Sequence, residues 1–170
     1  MLRMVAIVGN GDVDPERDAT AEAIGAEIAG AGFGLVCGGL GGVMEAACRG
    51  AHAVLGPGSG RILALLPGTD RALANPYADI VVPTGLGYAR NILVVLSADA
   101  VVAIGGGSGT LSEIAHAWQL DRPICAVAGA GGWASELAGK AIDGRRTDCV
   151  HRARDAAEVG AWLRATLPPA

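Results

Sequence analysis

Glycine clusters and two charged side chains carry most of the chemistry legible in this chain of 170 residues. The clusters are Gly9-Asn10-Gly11, Gly38-Gly39-Leu40-Gly41-Gly42, Thr84-Gly85-Leu86-Gly87 and Gly105-Gly106-Gly107-Ser108-Gly109-Thr110, each placed between a short apolar run and a segment of helical period. A turn stripped of side chains lets backbone N–H groups point at an anion, and the helix that follows adds its positive end. Phosphate is the natural guest; the alternative is that the glycines only permit tight turns and close packing. Thr110-x-x-Glu113 has the spacing of a capping box, so Glu113 reads as a helix cap, as a catalytic carboxylate, or as both. Arg90 follows the third cluster, where a guanidinium could grip a phosphate or carboxylate, or lie solvated on a helix surface.

Other nucleotide and catalytic motifs fit poorly. Gly9-x-Gly11 is followed by Asp14 where a dinucleotide fingerprint needs its third glycine, and the second apolar run ends in Cys37, with no acid for a ribose hydroxyl. No Gly-Lys-Ser or Gly-Lys-Thr supplies a Walker A loop. Glu113 and His116 form one Glu-x-x-His pair, but a di-iron bundle needs two, so no metal is expected. His52, His116 and His151 stand apart from any nucleophile, and Trp118, Trp133 and Trp162 read as core or interface fillers. Cys37, Cys48, Cys125 and Cys149 lie in apolar stretches without CxxC spacing, which predicts buried, reduced thiols in a cytoplasmic protein.

The elements that must position these residues alternate in kind. Short β-branched runs at Met4 to Val8, Leu35 to Cys37, Arg61 to Leu66, Ile80 to Val82, Ala100 to Ile104 and Ile124 to Val127 predict strands, with a further one near Asp148 to His151. Between them, Asp14-Pro15 starts a helix that runs to Ala31 and stops at Gly32. Further helices are predicted over Val43 to Val54, Arg90 to Ser97, from Gly109 or Thr110 through Leu120, and over residues 156–167 with Pro168-Pro169 as the stop. Gly129 to Gly132 reads as a loop. The alternation predicts an α/β fold: one Rossmann-like, doubly wound and mostly parallel sheet with helices on both faces, a single domain spanning residues 1–170. The strand ends would then bring the glycine clusters to one edge.

Composition narrows the partners. With 51% hydrophobic but only 4% aromatic residues, the core must be built from Ala, Val, Leu and Ile, which suits helices that approach a sheet closely. A net charge of -4 with scattered Lys and Arg argues against a nucleic-acid partner. No apolar run reaches the roughly 18 residues of a membrane span, so no membrane partner is expected.

Taken in order, Gly38-Gly39-Leu40-Gly41-Gly42-Val43-Met44-Glu45-Ala46-Ala47, Gly87-Tyr88-Ala89-Arg90-Asn91 and Gly105 through Glu113 resemble the LONELY GUY (LOG)-like Rossmann superfamily, often labelled lysine decarboxylases. The nearest likeness is to its branch of small nucleotide-binding proteins that includes molybdenum cofactor carriers. The resemblance implies a phosphorylated nucleotide-like ligand, held at Gly9, Asn10, Gly11, Gly38, Gly39, Gly41, Gly42, Met44, Gly105, Gly106, Gly107, Ser108, Gly109 and Thr110. For LOG enzymes it implies phosphoribohydrolase chemistry, in which the N-glycosidic bond of a nucleoside 5'-monophosphate is cut to free base and ribose 5-phosphate, with Glu113 and Arg90 at the catalytic positions. The alternative is a non-enzymatic carrier or sensor of molybdenum cofactor or another phosphorylated pterin or nucleotide. No cofactor would be required, and the protein would form a homo-oligomer, a dimer or tetramer. Lysine decarboxylation finds no support, because Lys140 is the only lysine and has no pyridoxal context. Two residues depart from the enzyme pattern. Gly105 replaces the proline of Pro-Gly-Gly-x-Gly-Thr-x-x-Glu, which predicts a freer loop, and Asn91 replaces the lysine of an Arg-Lys pair.

Overall fold

The computed structural model describes residues 1–167. Seven strands form one sheet in the order β4-β3-β2-β1-β5-β6-β7, and every neighbouring pair is parallel. The strands are β1 Met4–Gly9, β2 Gly34–Cys37, β3 Ile62–Leu66, β4 Ile80–Pro83, β5 Ala100–Ile104, β6 Ile124–Val127 and β7 His151–Ala153. The helices are α1 Pro15–Gly30, α2 Val43–Leu55, α3 Asn91–Leu96, α4 Ser108–Gln119, α5 Gly132–Leu137 and α6 Ala156–Thr166. This is the α/β doubly wound architecture that the alternation implies. Pro168-Pro169, expected to stop the last helix, lie outside the described residues.

The strands are apolar on both faces because helices cover both. Val5 and Ile7 of β1 face α1, α2 and α6, whereas Ala6 and Val8 face α3, α4 and α5. Helix α1 begins as expected: Asp14 caps it by accepting the Arg17 N–H at 2.9 Å, and Pro15 opens the first turn.

Four local expectations are corrected. Residues 129–132 are not only a loop, since α5 starts at Gly132; it is short, and the backbone carbonyls of Gly105 and Gly106 hold its first turn by accepting from Ala134 and Trp133. The last strand lies at His151–Ala153 rather than at 148–151, because the backbone groups of Val150 are already engaged with Gly139 and Lys140. Arg90 is not inside a helix but ends a 3-10 turn, Gly87–Arg90, that leads into α3. Cys37, Cys48 and Cys125 are buried, but Cys149 is exposed in the segment before β7.

Helices α1 and α2 meet backbone to backbone. A Cβ on Gly25 would lie 2.0 Å from the Ala47 carbonyl oxygen, and one on Gly50 would lie 1.9 Å from that of Glu22. Neither helix can yield without lifting off the sheet. Gly50→Ala should therefore destabilise the protein by about 1–3 kcal/mol, the usual range for overpacking, read as a lower midpoint in urea denaturation. An unchanged midpoint would show that the helix pair is looser than its contacts imply.

Candidate functional site

The order of strands reverses at β1, which has β2 on one side and β5 on the other. Ligands of open parallel sheets bind in the crevice at such a reversal, beyond the carboxyl ends of the strands. There lies a cavity of about 290 Å³ lined by Ile7, Val8, Gly9, Asn10, Gly11, Met44, Tyr88, Arg90, Asn91, Gly107, Ser108, Gly109, Thr110 and Glu113. Segments up to about a hundred residues apart in sequence thus meet on one edge.

The other candidate glycines stand behind this wall. A Cβ on Gly38 would sit 2.2 Å from the Arg90 guanidinium, so its bare Cα makes room for that side chain. Gly39 packs on Ala64 and Leu66, and Gly41 and Gly42 lie against the backbone of Gly11, Asn10 and Asp12.

Asn10 ties the clusters together. Its side-chain oxygen accepts the Gly106 N–H at 2.5 Å, its amide donates to Asp12 at 2.9 Å, and its backbone carbonyl accepts the Val43 N–H at 3.0 Å. Gly105 beneath it has φ +63° and no room for a Cβ, which would be 2.6 Å from the Asn10 side-chain oxygen. Proline, locked near φ of about −65°, cannot stand there. The glycine is imposed by the turn, and the expectation of a freer loop gives way to one held by Asn10 on one side and α5 on the other.

Arg90 and Glu113 form a buried ion pair. Arg90 Nη1 donates to Glu113 Oε1 at 3.2 Å, with only 9% and 8% of the two side chains exposed. The solvated-arginine reading is thereby excluded. The capping reading of Glu113 fails as well, because the residue at the helix cap is Gly107 and Thr110 already lies within α4. Burial pushes the Glu113 carboxyl up from its ordinary 4.5 to about 7, against the opposing pull of the Arg90 charge and hydrogen bond.

Asn91 completes this cluster in a way its sequence position did not disclose. It accepts a hydrogen bond from Arg90 Nη1, while its amide donates to Ser112 Oγ at 2.8 Å and to the Gly109 carbonyl at 3.3 Å. Among the described residues Arg90 Nε is buried without a partner. No side chain caps the N-terminus of α4 either, so the first-turn N–H groups of Ser108, Gly109 and Thr110 have no intrahelical acceptor. The cavity wall therefore combines a buried cation with open backbone donors, an arrangement suited to an anion.

A roomier hollow of about 440 Å³ between the start of α1 and the segment after β6 is lined by Asp14, Glu16, Arg17 and Arg154 among others. Its arginines are already paired, Arg17 with Asp12 and Arg154 with Glu158, and its own carboxylates offset them. Among the described residues no group of three or more His, Cys, Asp and Glu could hold a metal ion, and no helix is long and apolar enough to cross a membrane.

A model of the SLOG cluster4 family matches residues 2–159. The chain belongs to this family. The chain is similar to an uncharacterised protein from Archaeoglobus fulgidus, 43% identical over 126 residues that cover 74% of this chain and 80% of that one. The molybdenum cofactor binding protein from the phototrophic bacterium Rippkaea orientalis has a similar structure, with a TM-score of 0.83 at 29% identity over 97% of each chain. The molybdenum cofactor carrier protein from Chlamydomonas reinhardtii gives a TM-score of 0.83 at 28% identity, over 99% of this chain and 100% of its own. The resemblance to the LOG-like superfamily, on the branch that includes these carriers, is thus correct.

The raised carboxyl has a consequence for stability. Because Glu113 titrates near 7 when folded and near 4.5 when not, the folded chain keeps a proton that the unfolded chain has lost between those values. Its contribution is complete below about 4.5 and declines until about 7, on the order of 3 kcal/mol in all. Glu113→Gln should remove this decline, measured as denaturation midpoints across that pH range. Parallel profiles for the two proteins would contradict the burial of an ionisable Glu113.

Proposed function

We propose that this protein binds a small phosphorylated nucleotide-like ligand, with its phosphate at the first turn of α4, and that it acts as a carrier or sensor with molybdenum cofactor as the foremost candidate cargo. One observation carries the reading: the buried Arg90 guanidinium lines the same cavity as the uncapped N-terminus of α4. A cation out of water interacts strongly with an anion placed beside it, and the open N–H groups supply geometry that a lone charge does not. The likeness to molybdenum cofactor binding and carrier proteins supports a pterin over other phosphorylated ligands.

Binding only to the folded state raises stability by mass action, about 3 kcal/mol at a hundredfold excess over Kd. Thermal unfolding should accordingly shift upward with molybdenum cofactor released from a molybdoenzyme, or with AMP or GMP. Arg90→Lys, which keeps the charge but loses the planar fork, should weaken the shift. A Tm that no pterin or nucleotide moves would overturn the proposal.

Hydrolysis is the second reading, favoured by one feature of the same cavity. A carboxyl titrating at about 7 is present in both acid and base forms near neutrality. Placed beside a ribose, the ionised form would stabilise positive charge developing as the N-glycosidic bond breaks, and Arg90 would hold the substrate in place. Incubation with nucleoside 5'-monophosphates should then release free base and ribose 5-phosphate, and Glu113→Gln should lower that rate by about 100-fold or more. Turnover that survives the substitution would remove Glu113 from any catalytic role.

A cytoplasmic homo-oligomer, dimer or tetramer, belongs to the same proposal. Exposed apolar side chains at Ile80 and Val82 of the edge strand β4, and at Leu96 of α3, support an assembly. The buried thiols of Cys37, Cys48 and Cys125, none in a disulfide, support a reducing compartment.

A further inference from the structure

A second cavity, of about 300 Å³, adjoins the first and shares Tyr88, Asn91, Ser108 and Gly109 with it, with Ser112 and His116 completing its wall. Part of that wall is already fixed: the Asn91 amide and Ser112 Oγ both donate to the Gly109 carbonyl, at 3.3 and 2.7 Å. Tyr88 is the anomaly. It borders both cavities and is 88% exposed, while Arg90 in the same 3-10 turn is 8% exposed. A ring left in water beside this hollow offers a π-face with nothing on it, and stacking on such a face is tolerant of which heterocycle is bound.

We propose that this second cavity is the subsite for the flat heterocycle of the ligand, a purine or pterin stacked on Tyr88 with its polar edge toward Ser108 and His116. The inference rests on the phosphate being bound at the first turn of α4. The shared wall then divides the labour: the Arg90 side takes the anion, and the Tyr88 side reads the ring.

Titration calorimetry with ribose 5-phosphate, AMP and GMP separates the two claims. Wild-type protein should bind AMP and GMP about tenfold or more tighter than ribose 5-phosphate, the increment expected of one stacked base. Tyr88→Ala should abolish that advantage, weakening AMP and GMP far more than ribose 5-phosphate, and Tyr88→Phe should retain it. Equal affinity of the wild type for ribose 5-phosphate and AMP would overturn the ring subsite while leaving the phosphate site standing. Failure of all three, and of molybdenum cofactor as well, to bind would overturn both. If Tyr88→Ala lowered the mass seen by light scattering and weakened ribose 5-phosphate equally, the ring would be covering a contact between copies of this chain, and the subsite assignment would fall.

Discussion

The architecture of the crevice follows from one costly contact, the pairing of Arg90 with Glu113 out of water. Removing two charges from solvent costs several kcal/mol per ion, and their attraction offsets this only where further hydrogen bonds complete the geometry. Asn91 is that completion, because it accepts from Arg90 and is itself anchored to Ser112 and Gly109. Gly38 yields the space the guanidinium occupies. Even so the compensation is partial: Arg90 Nε stays unpartnered and the Glu113 carboxyl stays raised. A cluster left in this condition keeps one buried donor unmet and one carboxyl that holds its proton up to about pH 7.

Holding that pair requires three turns to converge, and Asn10 is the crosslink. From the end of β1 it reaches the start of α2 through its backbone carbonyl and the turn after β5 through its side chain. The glycines consequently divide into two groups by what they face. Gly9, Gly11, Gly107 and Gly109 border the cavity, whereas Gly38, Gly39, Gly41, Gly42, Gly105 and Gly106 leave room for neighbouring side chains or backbone, as Gly9 also does. The turn at Gly105 to Gly109 holds glycines of both kinds, Gly107 and Gly109 on the cavity wall and Gly105 and Gly106 in close packing. Gly105 makes the point most sharply, since its φ of +63° forbids the proline that the related hydrolase motif carries.

The fold was largely legible in the residues. Strands such as Ala100 to Ile104 and Ile124 to Val127 are continuous apolar runs because both of their faces are covered, and the Asp14-Pro15 start signal is local chemistry that needs no partner. The misplacements share a cause. Helix α5 depends on the carbonyls of Gly105 and Gly106, and the last strand is displaced because Val150 is engaged by Gly139 and Lys140. Each is a contact with another segment of the chain, which periodicity does not register.

The same division runs through the candidate site. The residue types alone determined the α/β class and singled out Arg90, Glu113 and the Gly105 to Thr110 turn as candidates for one edge of the sheet, because glycine patterning and apolar period are local properties. Whether Glu113 caps its helix or pairs with Arg90, whether Arg90 is solvated or buried, and why Asn91 stands where it does were decided only by the tertiary structure. Charge state and hydrogen-bond partner depend on what the rest of the chain places within a few ångströms, and on how much water it leaves there.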